Sequence, residues 1–146
     1  MGKYQKFEDL PVWQEAAQLY NVVHDLLEQR DLPLSASFRN QLDRAAISIS
    51  NNIVEGFERY GLDEQLSAIR TARGSAGEVR SMLSAIKDRP KLTRYSGEMQ
   101  RIVALAESCG RQLVGWARAL DKPAGDGRQS SENDRTRRES APKPRS

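Results

Sequence analysis

The chain has 146 residues, of which 38% are hydrophobic, 6% aromatic and 29% charged, and its formal net charge is +3. These proportions fit one soluble, helix-rich domain, and they exclude a membrane span because no run of about 18 apolar residues occurs. A single cysteine, Cys109, rules out an intramolecular disulfide, and with no apolar signal core in MGKYQKFEDLPVWQ the expected location is the cytoplasm.

Taken in order, residues 1–10 are polar, with Phe7 and Leu10 as anchors. Asp9 or its neighbour can cap a first helix, and Pro11 suits the first turn, where no amide hydrogen bond is lost. Val12, Ala16, Leu19, Val23 and Leu26 then alternate at spacings of four and three, a heptad seam, with Trp13, Tyr20 and Leu27 as a second stripe beside it. Asp31-Leu32-Pro33 breaks the pattern and places the end of this helix near Arg30.

A second helix begins at Ser35 or Ser37 and ends between residues 57 and 61, where Gly56 and Tyr60-Gly61 compete as the stop. Wound at 100° per residue, Leu42, Ala45, Ile49 and Ile53 share one face, extended by Phe38 and Phe57. Arg44, Ser48, Asn51, Glu55 and Arg59 stack opposite. Ile47 and Val54 flank that polar stripe, so this helix wants partners on more than one side.

In the third helix, Asp63 is the cap or lies in the first turn. Leu62, Ile69, Ala76 and Leu83 form one column, with Ala72, Val79 and Ile86 completing the seam. After a loop at Arg89-Pro90, a fourth helix starts at about Thr93–Ser96. Its seam is Met99, Ile102, Ala106, Cys109, Leu113, Trp116 and Leu120. Four amphipathic helices joined by short loops give an all-α, antiparallel up-down-up-down four-helix bundle over residues 1–120. Residues 121–146, almost free of apolar side chains, form a polar tail expected to be disordered.

Few residues suggest chemistry. His24 is the sole histidine, and with one distant cysteine it cannot build a zinc site. No Glu-x-x-His pair is present for a di-metal carboxylate bundle, and no Walker-type loop. The expectation is no catalytic residue, no metal and no cofactor. Arg73-Gly74-Ser75-Ala76-Gly77 looks like a phosphate loop, but the heptad runs straight through it. Two helical glycines at about 1 kcal/mol each need a packing reason, and small residues Ala45, Ala46, Ser48 and Ser50 of the second helix could supply it. Arg44 or Glu55 could pair with Glu78 or Arg80, setting register or assembly more than stability.

Charge is unevenly spread. Residues 1–69 carry 6 Lys/Arg against 11 Asp/Glu, residues 70–120 carry 10 against 4, and residues 121–146 carry 7 against 5. The two halves can neutralise each other within or between subunits, or the basic half can form a nucleic-acid surface. Arg73, Arg80 and Lys87 recur every seven residues on the third helix, and Arg94, Arg101, Arg111 and Arg118 lie on the outer side of the fourth. Such rows suit phosphates and give affinity without sequence readout.

FEDLPVWQEA at 7–16, QLDRAAISISNNIVEG at 41–56 and ARGSAGEVRSML at 72–83 resemble the bacterial four-helix bundle family of 23S rRNA intervening-sequence proteins. GRQLVGWARAL at 110–120 is also similar to the related accessory variability determinant of diversity-generating retroelements. The resemblance implies a left-handed bundle assembling as a homopentamer, and, for the retroelement branch, binding to nucleic acid and a reverse transcriptase. Arg44, Ala45, Ser48, Asn52, Glu55, Gly56, Gly74, Ser75 and Glu78 match the family motif. Together with Ile47, Val54 and Gly77, the candidates for assembly and packing are Arg44, Asn52, Glu55, Gly74 and Glu78. Asp43 and Val54 depart from it, where a basic residue and Ala are commoner. The expected function is a non-enzymatic, homo-oligomeric nucleic-acid-binding accessory protein; the alternative is an oligomeric scaffold that binds no nucleic acid.

Overall fold

The computed structural model describes residues 3–122, and the polar tail expected from residue 121 lies outside them apart from Asp121 and Lys122. Four helices are present: α1 (Pro11–Leu27), α2 (Ala36–Glu58), α3 (Leu62–Ile86) and α4 (Ser96–Asp121). A short 3-10 turn at Phe7–Asp9 precedes α1, and a longer one at Pro90–Tyr95 precedes α4. No strand occurs among the described residues.

Cross-links between helices give the topology. Tyr20 and Leu27 of α1 meet Asp43 and Arg39 of α2 respectively, so the two helices run in opposite directions. Ser48 and Gly56 of α2 meet Ser75 and Gln65 of α3 in the same reversed order. Arg80 of α3 pairs with Glu107 of α4, and Val12 and Glu15 of α1 meet Cys109 and Ser108. The most extensive packing is between α2 and α3, followed by α3 and α4.

The heptad seams become the core. Val12, Ala16, Leu19 and Val23 of α1 are fully buried against Leu42, Ile49 and Ile53 of α2, Ile69, Ala72 and Val79 of α3, and Ile102, Cys109 and Leu113 of α4. Trp13, Tyr20 and Leu27 cover the cluster from its edge. Leu62 departs from its expected column: at the first turn of α3 it overshoots the core and is 45% exposed.

Helix ends differ from expectation in instructive ways. Asp9 belongs to the preceding 3-10 turn, and α1 starts at Pro11 with Leu10 as its cap residue. The same helix ends three residues before Arg30, because Gln29 N–H bonds to Leu26 O and tightens the last turn. Arg39 then locks the turn. Its guanidinium donates to the carbonyls of Leu27 and Leu32, each at 2.7 Å, and of Leu34 at 3.3 Å. Ser35 caps α2 as expected, its Oγ accepting from Phe38 N–H at 3.1 Å. Gly61 precedes α3, with Asp63 and Glu64 in the first turn, favourably placed for the helix dipole. No Thr93 or Ser96 cap forms on α4, since residues 90–95 are already a 3-10 helix burying Leu92 and Tyr95.

Gly56 lets α2 approach its neighbours closely. A Cβ there would sit 3.2 Å from Ile69 Cγ1 and 3.3 Å from Trp116 Cη2. Gly74 and Gly77, expected to serve that close packing, are instead exposed, with nothing within 4 Å of an added Cβ. The small residues of α3 that face α2 include Ala68, which shares a cleft with Asn52 and Glu55, and Ser75, which bonds to Ser48.

Candidate nucleic-acid interface

Two grooves flank α3, and their charges are opposite. On the α2 side, Asn52, Glu55, Arg59, Asp63, Glu64 and Thr71 line a cleft of about 400 Å³ with three carboxylates against one guanidinium. On the α4 side, Arg73, Arg80 and Arg111 surround a groove of about 480 Å³ whose floor is Ala76, Gly77, Ala106 and Gly110. Val114 also lines it. Glu107 is the single carboxylate in this groove, and it pairs with Arg80 at 3.4 Å.

The floor is made of small residues, and at Gly77 and Gly110 no side chain covers the helix. Cβ atoms added at Gly77 or Gly110 would meet no heavy atom within 4 Å. An extended anion can therefore approach both helices closely. The arginines set its spacing, since seven residues along a helix advance about 10.5 Å.

Lys87 continues the α3 column into a neighbouring groove of about 610 Å³, where Asp88 and Glu107 balance it. The positive potential is thus concentrated at the Arg73, Arg80 and Arg111 end. Arg118 follows Arg111 seven residues later on the same side of α4, whereas Arg101 lies about 80° around the helix, towards α1. There, Glu15 accepts hydrogen bonds from Ser108 Oγ at 2.5 Å and Gln112 Nε2 at 2.6 Å. Arg94 is not part of α4 at all. It sits in the 3-10 turn, 3.9 Å from Asp31 and stacked on the Tyr95 ring at 5.1 Å. Tyr95 itself is 5% exposed and offers no face to a base.

The assembly candidates divide as well. Arg44, Glu55 and Glu78 are exposed and make no ion pair among the described residues, and Arg80 pairs with α4 and not with α2. Asn52 is occupied internally: its Nδ2 donates to Ser48 O at 2.8 Å and Ser48 Oγ at 2.9 Å, and Ser75 Oγ donates to Ser48 Oγ at 2.8 Å. Ile47 and Val54 are half-buried, and neither belongs to the hydrophobic cluster or the apolar side chains packed on it.

Cys109 is fully buried beside Val12 O, and burial together with the charge of Glu15 pushes its thiol up to about 12. It is an inert core residue. His24, Asp25 and Glu28 bring one ligand atom each within 4.8 Å of one another. All three are exposed at the C-terminal end of α1, where His24 and the cap residue Glu28 form an ordinary i,i+4 contact at 3.7 Å. No helix among the described residues is long and apolar enough to cross a membrane.

Residues 8–115, all four helices short of the end of α4, match a model of the 23S rRNA-intervening sequence protein family. The chain belongs to that family. No curated protein and no solved structure matches it. For this intervening-sequence family protein, the side chains that sequence periodicity alone missed are Arg39, Glu15 and the Ser48–Ser75 pair. Each is polar, Ser75 buried and the others half-buried, and nothing in the heptad pattern marks a polar residue that bonds across to another helix.

Proposed function

We propose that this protein is a non-enzymatic nucleic-acid-binding factor that holds the phosphate backbone in the α3/α4 groove. The observation that carries this reading is the convergence of Arg73, Arg80 and Arg111 on a floor of alanines and uncovered glycines. Arginine forks bind phosphates in pairs of hydrogen bonds. No exposed aromatic side chain lines the groove, so bases are not stacked and sequence is not read. Membership of a ribosomal-RNA-linked family favours RNA as the natural ligand.

Self-association accompanies binding in this reading. Ile47 and Val54 give α2 an apolar strip that the core does not use, and a ring of copies, five as the family resemblance implies, would place several arginine grooves on one assembly. A reverse transcriptase partner belongs to the retroelement variant of the same proposal.

The direct test is retention of RNA and DNA on a filter at low salt. Changing Arg73, Arg80 and Arg111 together to Glu abolishes retention, while Arg101→Glu, on the α1-facing side of α4, leaves it nearly intact. Retention by the triple variant equal to that of the parent removes the proposal. One observation favours a second reading, an oligomeric scaffold free of nucleic acid: the acidic α2/α3 cleft and the basic α3/α4 groove are complementary in charge. In that case the triple variant would lose oligomers, and the parent would retain no nucleic acid.

A further inference from the structure

The two ends of the bundle are unlike each other. At the α2–α3 turn, Tyr60 is fully exposed and Leu62 is 45% exposed, and these are the large apolar side chains that stand out into solvent among the described residues. Residues 58–64 around them carry Glu58, Asp63 and Glu64 against Arg59 alone. Arg59 is already 3.9 Å from Glu64, which leaves the tip acidic.

The α1–α2 and α3–α4 connections lie together at the opposite end of the antiparallel bundle. Between them is an apolar cleft of about 410 Å³ lined by Pro33, Arg89, Pro90, Lys91 and Leu92. Residues 87–94 carry Lys87, Arg89, Lys91 and Arg94 against Asp88. Arg89 and Lys91 make no ion pair among the described residues. The cleft therefore offers two exposed proline rings to an aromatic ring, above the buried Leu92, with two cations at its rim.

The geometry points to a second copy of this chain as the occupant: the Tyr60–Leu62 tip of one protomer docks in the Pro33/Pro90 cleft of the next. Proline rings pack flat on a tyrosine face. Arg89 and Lys91 complement both the ring's negative face and the acidic side chains beside it. The docking surfaces sit at opposite ends, so the contact is heterologous and propagates end to end. It is separate from any lateral contact through Ile47 and Val54, and it does not depend on nucleic-acid binding.

Sedimentation velocity on the full chain tests this by complementation. The parent protein should grow with concentration, and added salt should weaken the growth because the rim is charged. Tyr60→Ser removes the tip and leaves the cleft; the double variant Arg89→Glu, Lys91→Glu removes the cleft and leaves the tip. Each alone should lose the open-ended growth and stop at the size that lateral contacts set. An equimolar mixture should regain one association step, because the intact tip of the second variant fits the intact cleft of the first. All the substituted side chains are exposed, and unchanged circular dichroism verifies folding. A parent whose sedimentation does not depend on concentration, a Tyr60→Ser chain that grows like the parent, or a mixture that behaves as its components overturns the inference.

Discussion

Substituting Gly77 by Ala separates the fold from the surface that the fold presents. Gly77 lies in the middle of α3, exposed, and an added methyl group meets no heavy atom within 4 Å. A glycine in an exposed helix interior is less favourable than alanine by about 0.8–1.0 kcal/mol. Gly77→Ala should therefore stabilise the protein by about that amount. Unfolding entropy of about 2.1 cal/mol/K per residue gives about 0.25 kcal/mol/K for the ~120 described residues, so Tm should rise by about 4 °C. Gly56→Ala is the contrast. The same methyl group lands 3.2 Å from Ile69 Cγ1 and 3.3 Å from Trp116 Cη2. Overpacking of about 1–3 kcal/mol offsets or exceeds the same propensity gain, and Tm should stay level or fall by up to about 8 °C. Thermal unfolding followed by far-UV circular dichroism at one protein concentration measures both. A Gly77→Ala variant that melts below the parent would refute the reasoning, because it would mean that the α3/α4 face is already covered in solution.

Arg39→Lys should destabilise by roughly 2 kcal/mol, since an ammonium cannot reproduce three hydrogen bonds made by one planar fork; a urea midpoint unchanged from the parent would remove the role given to Arg39 in locking the α1–α2 turn. Stability should also decline in alkali. Cys109 has its folded pKa raised from 9.0 to about 12, so the unfolded chain loses this proton first and stability falls as pH rises from about 9 towards 12. Tyr20 acts in the same direction, because its hydrogen bond to Asp43 raises the phenol above 10.0. Cys109→Ser would flatten part of this decline in a pH series of urea unfolding curves, and a thiol reagent should label native Cys109 only at the rate of unfolding. Fast labelling at neutral pH would contradict its burial.

The architecture was legible because each helix writes its buried face at spacings of three and four, from Val12 to Leu26 in α1 and from Met99 to Trp116 in α4. Those are local properties of one helix, and local periodicity survives folding. The helix ends were less legible. Leu62 sits in phase with Ile69, yet it projects past the core because phase says nothing about how far along its axis a neighbouring helix extends. Gly74 and Gly77 were misplaced for a related reason: small residues are compatible both with close packing and with an open groove, and only the azimuth of α3 against α2 and α4 decides between them. The arginine rows were visible as rows. That Arg73, Arg80 and Arg111 share one groove, whereas Arg101 turns towards α1 and Arg94 leaves α4 altogether, depends on how two helices face each other and on the 3-10 turn at residues 90–95. The Arg39 lock and the Ser75–Ser48 bond join residues on different elements, and no pattern within one helix encodes such pairs.

The central claim, phosphate binding by three convergent arginines, is tested most directly by the salt dependence of binding to a duplex. Each phosphate contact contributes about 0.9 to the slope of log K against log salt. Replacing Arg73, Arg80 and Arg111 by Gln should lower the magnitude of the slope by about 2.7 per protomer engaged and weaken binding alike for unrelated sequences. A parent and a triple variant with the same slope would contradict the account.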